Sequence, residues 1–368
     1  MVALTTDGLL LVDKPAGCTS HDVVDRCRRA FGQRKVGHAG TLDPDATGVL
    51  LVGLGKVTRL LRWLSGLGKH YTGEVVLGVA TTTLDAGGEV TGTWDMSGVS
   101  LEEARAAAAR LTGEISQVPP MVSALKVGGR RLHELARQGV EVERSPRTVT
   151  VARFDVEFAG AGDNGPVLAV DVECSSGTYV RSLAADLGAL LGGGAHLRNL
   201  RRLAVGPFLV DSAVRLEVLE APKTPEAPGE PPARRPGALS QYVRSPVEAL
   251  PGMARAVVGG DLAAAVVHGK VLSREVLEAS SSGSTSSSGS LSAASVVPAA
   301  GAGPVSAAGA GPVSAGGAGP VSAAGAGPWA VVDEAGELLA VYELYGSATQ
   351  GDWAKPAVVL VTEAPRGR

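Results

Sequence analysis

The chain has 368 residues, 45% of them hydrophobic, and a formal net charge of −3 at pH 7. This length allows a sizeable core and predicts two domains. The apolar run at 9–12 ends in Asp13 and Lys14, which argues against a signal peptide, and no segment has the sustained Leu, Ile and Phe content of a membrane span. We therefore expect a cytoplasmic protein that has no membrane partner.

The cysteines and glycine-rich segments indicate no metal and no nucleotide cofactor. The cysteines stand far apart and lack C-x-x-C spacing, so neither a disulfide framework nor a zinc site is indicated. They are Cys18, Cys27 and Cys174. The segment GLGKVT at 53–58 lacks the glycine that a phosphate loop has five residues before Gly55, and Val57 replaces the required Ser or Thr. No G-x-G-x-x-G stands between a strand and a helix.

Positive charge is concentrated in two segments. Residues 1–70 carry ten Lys or Arg against six Asp or Glu, and residues 126–153 carry seven against three. The stretch 71–125 carries two basic and seven acidic residues. The distribution is consistent with a basic face for a polyanion and equally with an ordinary solvated surface.

The N-terminal 64 residues predict a strand followed by helical segments. GLLLVDKP is typical of a strand closed by a Lys-Pro turn, and Ser20 is expected to cap a helix through VVDRCRRAF. In that helix Val23, Val24 and Cys27 share one face. VTRLLRWL at 57–64 predicts a further amphipathic turn or two.

The stretch GHAGTLDPDATGVLLVGLG at 37–55 contains a carboxylate with two possible roles. Asp43, between Leu42 and Pro44, is either a helix N-cap with proline at the first helical position or a reactive carboxylate. His38 has no second ligand at metal-binding spacing beside it. It is either a hydrogen-bonded loop histidine or a ring that stacks on a nucleobase.

The middle of the chain alternates strands and helices. HYTGEVVLGVA, from His70, predicts a strand, and Ser100 with Glu103 forms a capping box before EARAAAARL. TVTVARFDVEF and PVLAVDVECSSG, joined by AGAGDNG, predict a hairpin. Thr178 is expected to open a helix through YVRSLAADLGALL, and LRRLAVGPFLV returns as a strand. Hairpins mixed with irregularly placed helices predict an α+β domain rather than a regular βαβ winding.

The predicted helix at 178 carries an unusual cation. Arg181 falls near the helix start, where a positive charge is unfavourable for the helix dipole unless an anion lies opposite. That anion is either a buried carboxylate or some surface acid. Tyr71 and Tyr179 are either core residues or rings that offer a face to a base.

A change in composition divides the chain into predicted domains. Residues 1–220 form the first domain, and 221–240 form a proline-rich linker. Residues 241–368 form a small, mainly β module with strands at WAVVDEAGELLAVYEL and PAVVLVTE. The module is interrupted at 279–328 by a low-complexity insert, predicted to be disordered, in which GAGPVSAA and close variants repeat.

Six blocks of sequence resemble one known family. They are GLLLVDKPAGCTSHDVV, VGHAGTLDPDATGVLLVGLGKVTR, KHYTGEVVLGVATTTLDAGGEV, SALK with GRRLHELARQG, CSSGTYVRSLAADLG and GAHLRNLRRLAVGPF. Their order and spacing over residues 8–215 resemble those of the TruB-type tRNA pseudouridine-55 synthases. The resemblance implies a pseudouridine synthase fold, which is an α+β domain on a mixed, mostly antiparallel sheet, followed by a small PUA-like RNA-binding β module. It also implies an isomerase that acts on the T-arm of tRNA without a cofactor, and we expect a monomer.

The resemblance also implies roles for individual residues. Asp43 matches the catalytic aspartate and Arg181 the arginine paired with it, while Tyr71 matches a tyrosine that stacks on the target uracil. His38 matches the substrate-binding histidine that takes the place of the flipped base in the T-loop, and Tyr179 and Leu200 match residues that line the uridine pocket. Lys14 matches a motif residue that is structural as well as close to the active cleft, where it is expected to bind substrate. Val122 stands where the family usually has tyrosine.

Two hypotheses compete with a pseudouridine synthase. One is a non-catalytic tRNA-binding or folding protein that uses the same basic surface. The other is a small-molecule enzyme with an Asp/Arg pair. Conversion of a uridine in tRNA distinguishes the first interpretation from both of them.

Overall fold

The structure is a computed structural model, and it describes most of both predicted domains. The described residues are 5–123, 125–127, 129–132, 135, 138–140, 142–220, 239–281, 327–345 and 353–361. Most of the predicted linker, 221–238, and most of the predicted insert, 282–326, lie outside the described residues. Their predicted character, and the domain boundaries drawn from it, stay predictions.

An 11-stranded sheet dominates the first two thirds of the described chain. Its strands are β1 (Gly8–Lys14), β2 (Val36–Ala39), β3 (Thr47–Leu54), β4 (Lys69–Leu77), β7 (Gly113–Gln117), β10 (Arg147–Ala161), β11 (Pro166–Cys174), β12 (Ala195–Val205), β13 (Phe208–Leu209), β14 (Val214–Arg215) and β15 (Val243–Arg244). The main path runs β14-β1-β3-β12-β4-β11-β10-β7. Its β1–β14 and β3–β12 pairs are parallel, whereas the other pairs of this sheet among the described residues are antiparallel. The predicted α+β class with a mixed, mostly antiparallel sheet is confirmed.

Two short hairpins lie outside this sheet. One pairs β5 (Val79–Thr81) with β6 (Val90–Thr93), and the other pairs β8 (Lys126–Val127) with β9 (Arg130–Arg131). The predicted strand through 70–80 is confirmed as far as Leu77 and is wrong for its last three residues, where the chain turns at Gly78 and enters β5. Gly78 adopts a φ of 84°, and an added Cβ would lie 2.5 Å from the Asn164 carbonyl oxygen, so the chain turns there into the hairpin.

The described helices pack against the sheets, and none is long and apolar enough to cross a membrane. They are α1 (Ser20–Phe31), α2 (Leu61–Ser65), α3 (Leu101–Arg110), α4 (Val180–Leu190), α5 (Leu216–Glu220), α6 (Gly260–Val267) and α7 (Arg274–Ser281). Short 3₁₀ segments stand at Gly55–Leu60, Val210–Ser212 and Ser240–Tyr242. The capping box of Ser100 and Glu103 at α3 is confirmed.

Two predicted helix starts are wrong by one or two residues. Thr19, not Ser20, is the N-cap of α1, because its hydroxyl accepts from Asp22 N while the Asp22 carboxylate bonds back to the Thr19 backbone. Ser20 is instead buried, at 2% exposure. Helix α4 begins at Val180 with Tyr179 as its N-cap, so Arg181 is the second helical residue.

The central strands are buried on both faces, which explains their continuous apolar sequence. In β1, Leu9 and Leu11 join one core cluster, while Leu10 and Val12 join another on the opposite face. The predicted α1 face of Val23, Val24 and Cys27 belongs to the second cluster. This two-sided core holds β1 and β3 beside the loop that contains Asp43.

A second, five-stranded sheet forms the C-terminal module. Its strands are β16 (Ala254–Val257), β17 (Leu272–Ser273), β18 (Trp329–Val332), β19 (Leu338–Tyr345) and β20 (Trp353–Val359), in the order β16-β18-β19-β20-β17. Arg59 Nη1 donates to Val359 O over 2.6 Å, and Arg62 pairs with Glu343 at 2.6 Å. Apolar residues of both sheets share one core cluster. The predicted small β module is confirmed.

Candidate active site

A cavity of about 250 Å³ opens where β4, β12 and two loops converge. Five of the predicted site residues line it. They are Asp43, Tyr71, Tyr179, Arg181 and Leu200. The described lining includes neither Lys14 nor His38.

Asp43 lies in the loop between β2 and β3. No helix follows it, since residues 41–46 are irregular and β3 begins at Thr47, so the helix-cap interpretation of Asp43 is wrong. The loop is held instead by long-range contacts. The carbonyl oxygen of Pro44 accepts from Lys14 Nζ over 2.8 Å and from Gly17 N over 3.0 Å.

Arg181 binds the carboxylate of Asp43. Its Nη2 donates to Oδ1 over 3.0 Å, and Nε lies 2.9 Å from Oδ2 as an ion pair. The guanidinium also donates to Thr83 O and Val122 O, each over 2.8 Å. The Arg181 side chain is 4% exposed and that of Asp43 39% exposed, so the carboxylate opens to the cavity while its partner is enclosed. Of the two anions considered for Arg181, the structure selects this carboxylate.

The surroundings of Asp43 act on its pKa in opposite directions. Burial raises the pKa above the ordinary aspartate value, while the Arg181 guanidinium and, more weakly, Lys14 lower it and the carboxylate of Asp85 raises it further. The balance lies above the ordinary value. The ion pair with the enclosed Arg181 therefore opposes, but does not cancel, the rise in the Asp43 pKa that burial causes.

Asp85 is a site residue that sequence reasoning missed. Its Oδ2 lies 3.6 Å from Arg181 Nε, and its Oδ1 accepts from Thr83 Oγ1 over 2.5 Å and from Gly87 N over 3.1 Å. In the sequence, TTTLDAGG is typical of a surface turn, in which an aspartate bonds its own backbone. The only signal in the sequence was the cation at Arg181, which indicated an anion opposite it but did not distinguish Asp85 from other acids.

Tyr71 and Leu200 face the cavity from neighbouring strands. Tyr71 on β4 is 8% exposed and stands opposite Arg202 of β12 in register. Burial raises the pKa of the Tyr71 hydroxyl, which therefore stays protonated. Leu200 follows Asn199, which has a φ of 53° within a register shift of β12. The irregular backbone at this point turns Leu200 into the cavity.

Lys69 and Arg202 also line the cavity and were not predicted. Lys69 Nζ donates to Ser65 O over 2.7 Å and Leu67 O over 2.6 Å, and burial lowers its pKa to about 8. Arg202 is 1% exposed, and it donates to Val49 O over 2.8 Å and Gly40 O over 2.9 Å. Both lie on strands, where a single basic residue gives no sign of the cavity below it.

Lys14 and His38 support the site from outside its lining. Lys14 is fully buried, and its Nζ donates to three carbonyl oxygens, of Pro15, Cys18 and Pro44. These bonds hold the loop that contains Asp43. His38 lies on β2, and burial together with the nearby Arg202 charge lowers its pKa, which favours the neutral ring.

Val122 contributes to the site through its backbone. Its carbonyl oxygen accepts from Arg181, a contact that any side chain at this position allows. The departure from tyrosine at position 122 therefore leaves the Arg181 network intact.

Two family models match the chain. The model described as TruB family pseudouridylate synthase (N terminal domain) matches residues 28–180, and that described as tRNA pseudouridylate synthase B C-terminal domain matches residues 181–250. A tRNA pseudouridine synthase B of Rhodococcus jostii (strain RHA1) is 57% identical over 213 residues, which cover 58% of this chain and 70% of that protein. One from Symbiobacterium thermophilum is 47% identical over 267 residues, covering 73% and 83%.

Solved structures share the fold. A chain of a Cbf5-Nop10-Gar1 complex matches with a TM-score of 0.62 and 23% identity, over 96% of this chain and 85% of that one. A chain of an H/ACA RNP bound to a substrate RNA containing 2'-deoxyuridine matches with a TM-score of 0.60 and 21% identity, over 96% and 85%. At these identities the likeness concerns the fold alone.

Proposed function

The chain belongs to the TruB family of pseudouridylate synthases and is thus an isomerase, and we propose that it converts uridine 55 in the T-loop of tRNA to pseudouridine. The observation that carries this proposal is the Asp43–Arg181 ion pair at the wall of the cavity. The names of the relatives support tRNA as the substrate.

The reaction breaks the N1–C1′ bond of uridine, turns the uracil and joins C5 to C1′. The proton on C5 leaves and N1 regains one, so no electrons are gained or lost. What the reaction requires is an ionised carboxylate beside the ribose, which either attacks it covalently or removes a sugar proton. We assign this role to Asp43, and Arg181 keeps its carboxylate charged and oriented.

The target base must leave the RNA stack to reach the cavity. Flipping costs about a few kcal/mol, which stacking on protein rings offsets. We assign stacking on the uracil to Tyr71, and Tyr179 and Leu200 complete the pocket wall. His38 takes the place of the flipped base in the T-loop, and its depressed pKa favours the uncharged ring that stacks best. The basic residues of 26–35 and 126–147 contact tRNA phosphates.

Release of tritium from tRNA labelled at uracil C5 tests this function. We expect the purified protein to release tritium from one uridine per tRNA and from a T-arm stem-loop, because the isomerisation removes the C5 proton. A T-arm with cytidine at the target position is the control. Binding of tRNA without tritium release would favour the non-catalytic tRNA-binding protein. A protein that neither binds nor modifies RNA would favour the small-molecule enzyme.

The pH dependence of the single-turnover rate should follow the ionisation of Asp43. Because burial raises the pKa of Asp43, activity is present above this raised value and is lost as the pH falls through it. We expect the acidic limb of the pH–rate profile, where the rate falls as the pH decreases, to lie at a higher pH than an aspartate of ordinary pKa would give. Rates measured between about pH 4 and 8, with the fold monitored by circular dichroism, locate the limb. A limb at or below the ordinary aspartate pKa would contradict the assignment.

Asp85→Asn should slow the reaction without weakening tRNA binding. Asp85 helps to orient Arg181, so we expect a rate decrease of about 10-fold. Loss of its negative charge also lowers the pKa of Asp43, so the acidic limb should move to lower pH. Asp95→Asn is the control, since the Asp95 carboxylate accepts from Ser97 on an exposed turn. An Asp85→Asn protein with wild-type rate and limb would show that Asp85 takes no part.

A further inference from the structure

Two buried polar side chains outside the cavity lining each bind both backbone groups of a residue in the cavity wall. The Ser20 hydroxyl donates to Leu42 O over 3.1 Å and accepts from Leu42 N over 2.9 Å. The Gln117 amide donates from Nε2 to Tyr179 O over 3.2 Å and accepts at Oε1 from Tyr179 N over 2.8 Å. Ser20 and Gln117 are each 2% exposed.

The Ser20 contact fixes the backbone next to Asp43, and the Gln117 contact fixes the backbone near Arg181. Leu42 directly precedes Asp43, and Tyr179 is the N-cap of α4, two residues before Arg181. The carboxylate and the guanidinium are separated by 138 residues along the chain, so their 3.0 Å contact depends on how each backbone is fixed. Ser20 and Gln117 reach these backbones from 22 and 62 residues away.

The other contacts beside Asp43 and at the start of α4 do not replace the hydrogen bonds that Ser20 and Gln117 make. Lys14 and Gly17 bind Pro44 O, on the C-terminal side of Asp43. On the N-terminal side, Leu42 is bound by Ser20. At α4 the Tyr179 side chain makes no cap hydrogen bond, and Gln117 of β7 accepts from the N-cap N–H, which is the contact that the N3 side chain of a capping box makes. An apolar residue at position 20 would leave the N–H and C=O of Leu42 without these partners. One at position 117 would leave the N–H of Tyr179 without its partner, whereas Tyr179 O would still accept from Leu183 N.

We propose that Ser20 and Gln117 are positioning residues that set the Asp43–Arg181 geometry, each by pairing both backbone groups of the wall residue it contacts. The proposal rests on the proposed function for its catalytic consequence, but not for its structural one. Among the described cavity-lining residues neither Ser20 nor Gln117 appears. Their substitution should therefore change the chemical step and the ionisation of Asp43, and not the binding of tRNA.

Single-turnover kinetics with saturating enzyme separate these effects. We expect Ser20→Ala and Gln117→Leu each to lower the rate by about 10- to 100-fold, because misplacement of a reacting group by an ångström has this effect. The dissociation constant for tRNA should stay within about twofold of the wild type, since the binding surface is unchanged. Ser20→Cys replaces the hydroxyl by a thiol, which is a weaker donor and acceptor, so an intermediate rate is expected, and circular dichroism checks that the variant is folded.

Thr19→Ala is the matched control. It removes the capping box of α1 one residue from Ser20, so it lowers the melting temperature without touching Leu42. Its rate should stay at the wild-type value. Equal rate losses in Ser20→Ala, Ser20→Cys and Thr19→Ala would overturn the proposal for Ser20, and a wild-type rate in Gln117→Leu would overturn it for Gln117.

The ionisation of Asp43 gives a readout that needs no activity. Its carboxyl carbon is followed by ¹³C NMR in protein labelled at aspartate, with Asp43→Asn to assign the signal. Because Arg181 lowers the pKa of Asp43, both positioning variants should raise that pKa above the wild-type value, and Thr19→Ala should not. A shifted pKa in a protein that converts no uridine would refute the proposed function alone. An unshifted pKa in an active protein would refute the positioning role alone.

Discussion

Asp43→Asn is expected to reduce the rate of pseudouridine formation by at least about 1,000-fold while tRNA remains bound. The amide has nearly the shape of the carboxylate, and its oxygen still accepts from Arg181 Nη2. It carries no negative charge, however, so it neither attacks the ribose nor accepts a proton from it. The loss therefore falls on the chemical step.

Tritium release and filter binding, measured on the same preparation, test this expectation. Asp45→Asn is the matched control, because Asp45 is exposed two residues away in the same loop and is not part of the described cavity lining. We expect it to keep both activities. Conversion retained in Asp43→Asn would end the catalytic assignment, and a parallel loss of tRNA binding would indicate a damaged fold.

Arg181→Gln should have the second largest effect, a rate decrease of at least about 100-fold near neutral pH. Without the guanidinium, burial and Asp85 both raise the pKa of Asp43, so the acidic limb moves to higher pH. The residual rate should consequently rise with pH more steeply than that of the wild type. Arg181→Lys keeps the charge at a single point and loses the planar set of donors, so it should shift the limb less.

The same substitution should also lower the free energy of unfolding. Arg181 donates to the carbonyl oxygens of Thr83 and Val122, which are partly buried, so each acceptor left without a donor costs at most about 1–3 kcal/mol. Urea denaturation measures this loss. Arg153→Gln is the control, since Arg153 forms a surface ion-pair network with Asp155, Asp171 and Glu173, and surface ion pairs contribute little to stability. A full wild-type rate in Arg181→Gln would remove the arginine from the mechanism.

Local interactions explain which parts of the fold were predictable. The capping box at Ser100 and the apolar face of α1 depend on residues three or four positions apart, and the hairpin of β10 and β11 depends on a short turn. The errors arose where distant groups compete with local preference. Ser20 was predicted as a cap, but its hydroxyl is taken by Leu42, and Asp43 starts no helix because its loop is bound to Lys14.

The amino-acid sequence by itself determined the α+β class, the β module, the family and the candidate roles of Asp43 and Arg181, because these follow from local patterns and matched motifs. Only the tertiary structure decided that a carboxylate and a guanidinium 138 residues apart meet at 3.0 Å, and that Asp85, Lys69, Ser20 and Gln117 lie around them. The physical reason is the distance along the chain over which each kind of interaction acts. Propensity and periodicity act over a few residues, whereas burial, desolvation and ion pairing depend on which distant segments the core brings together.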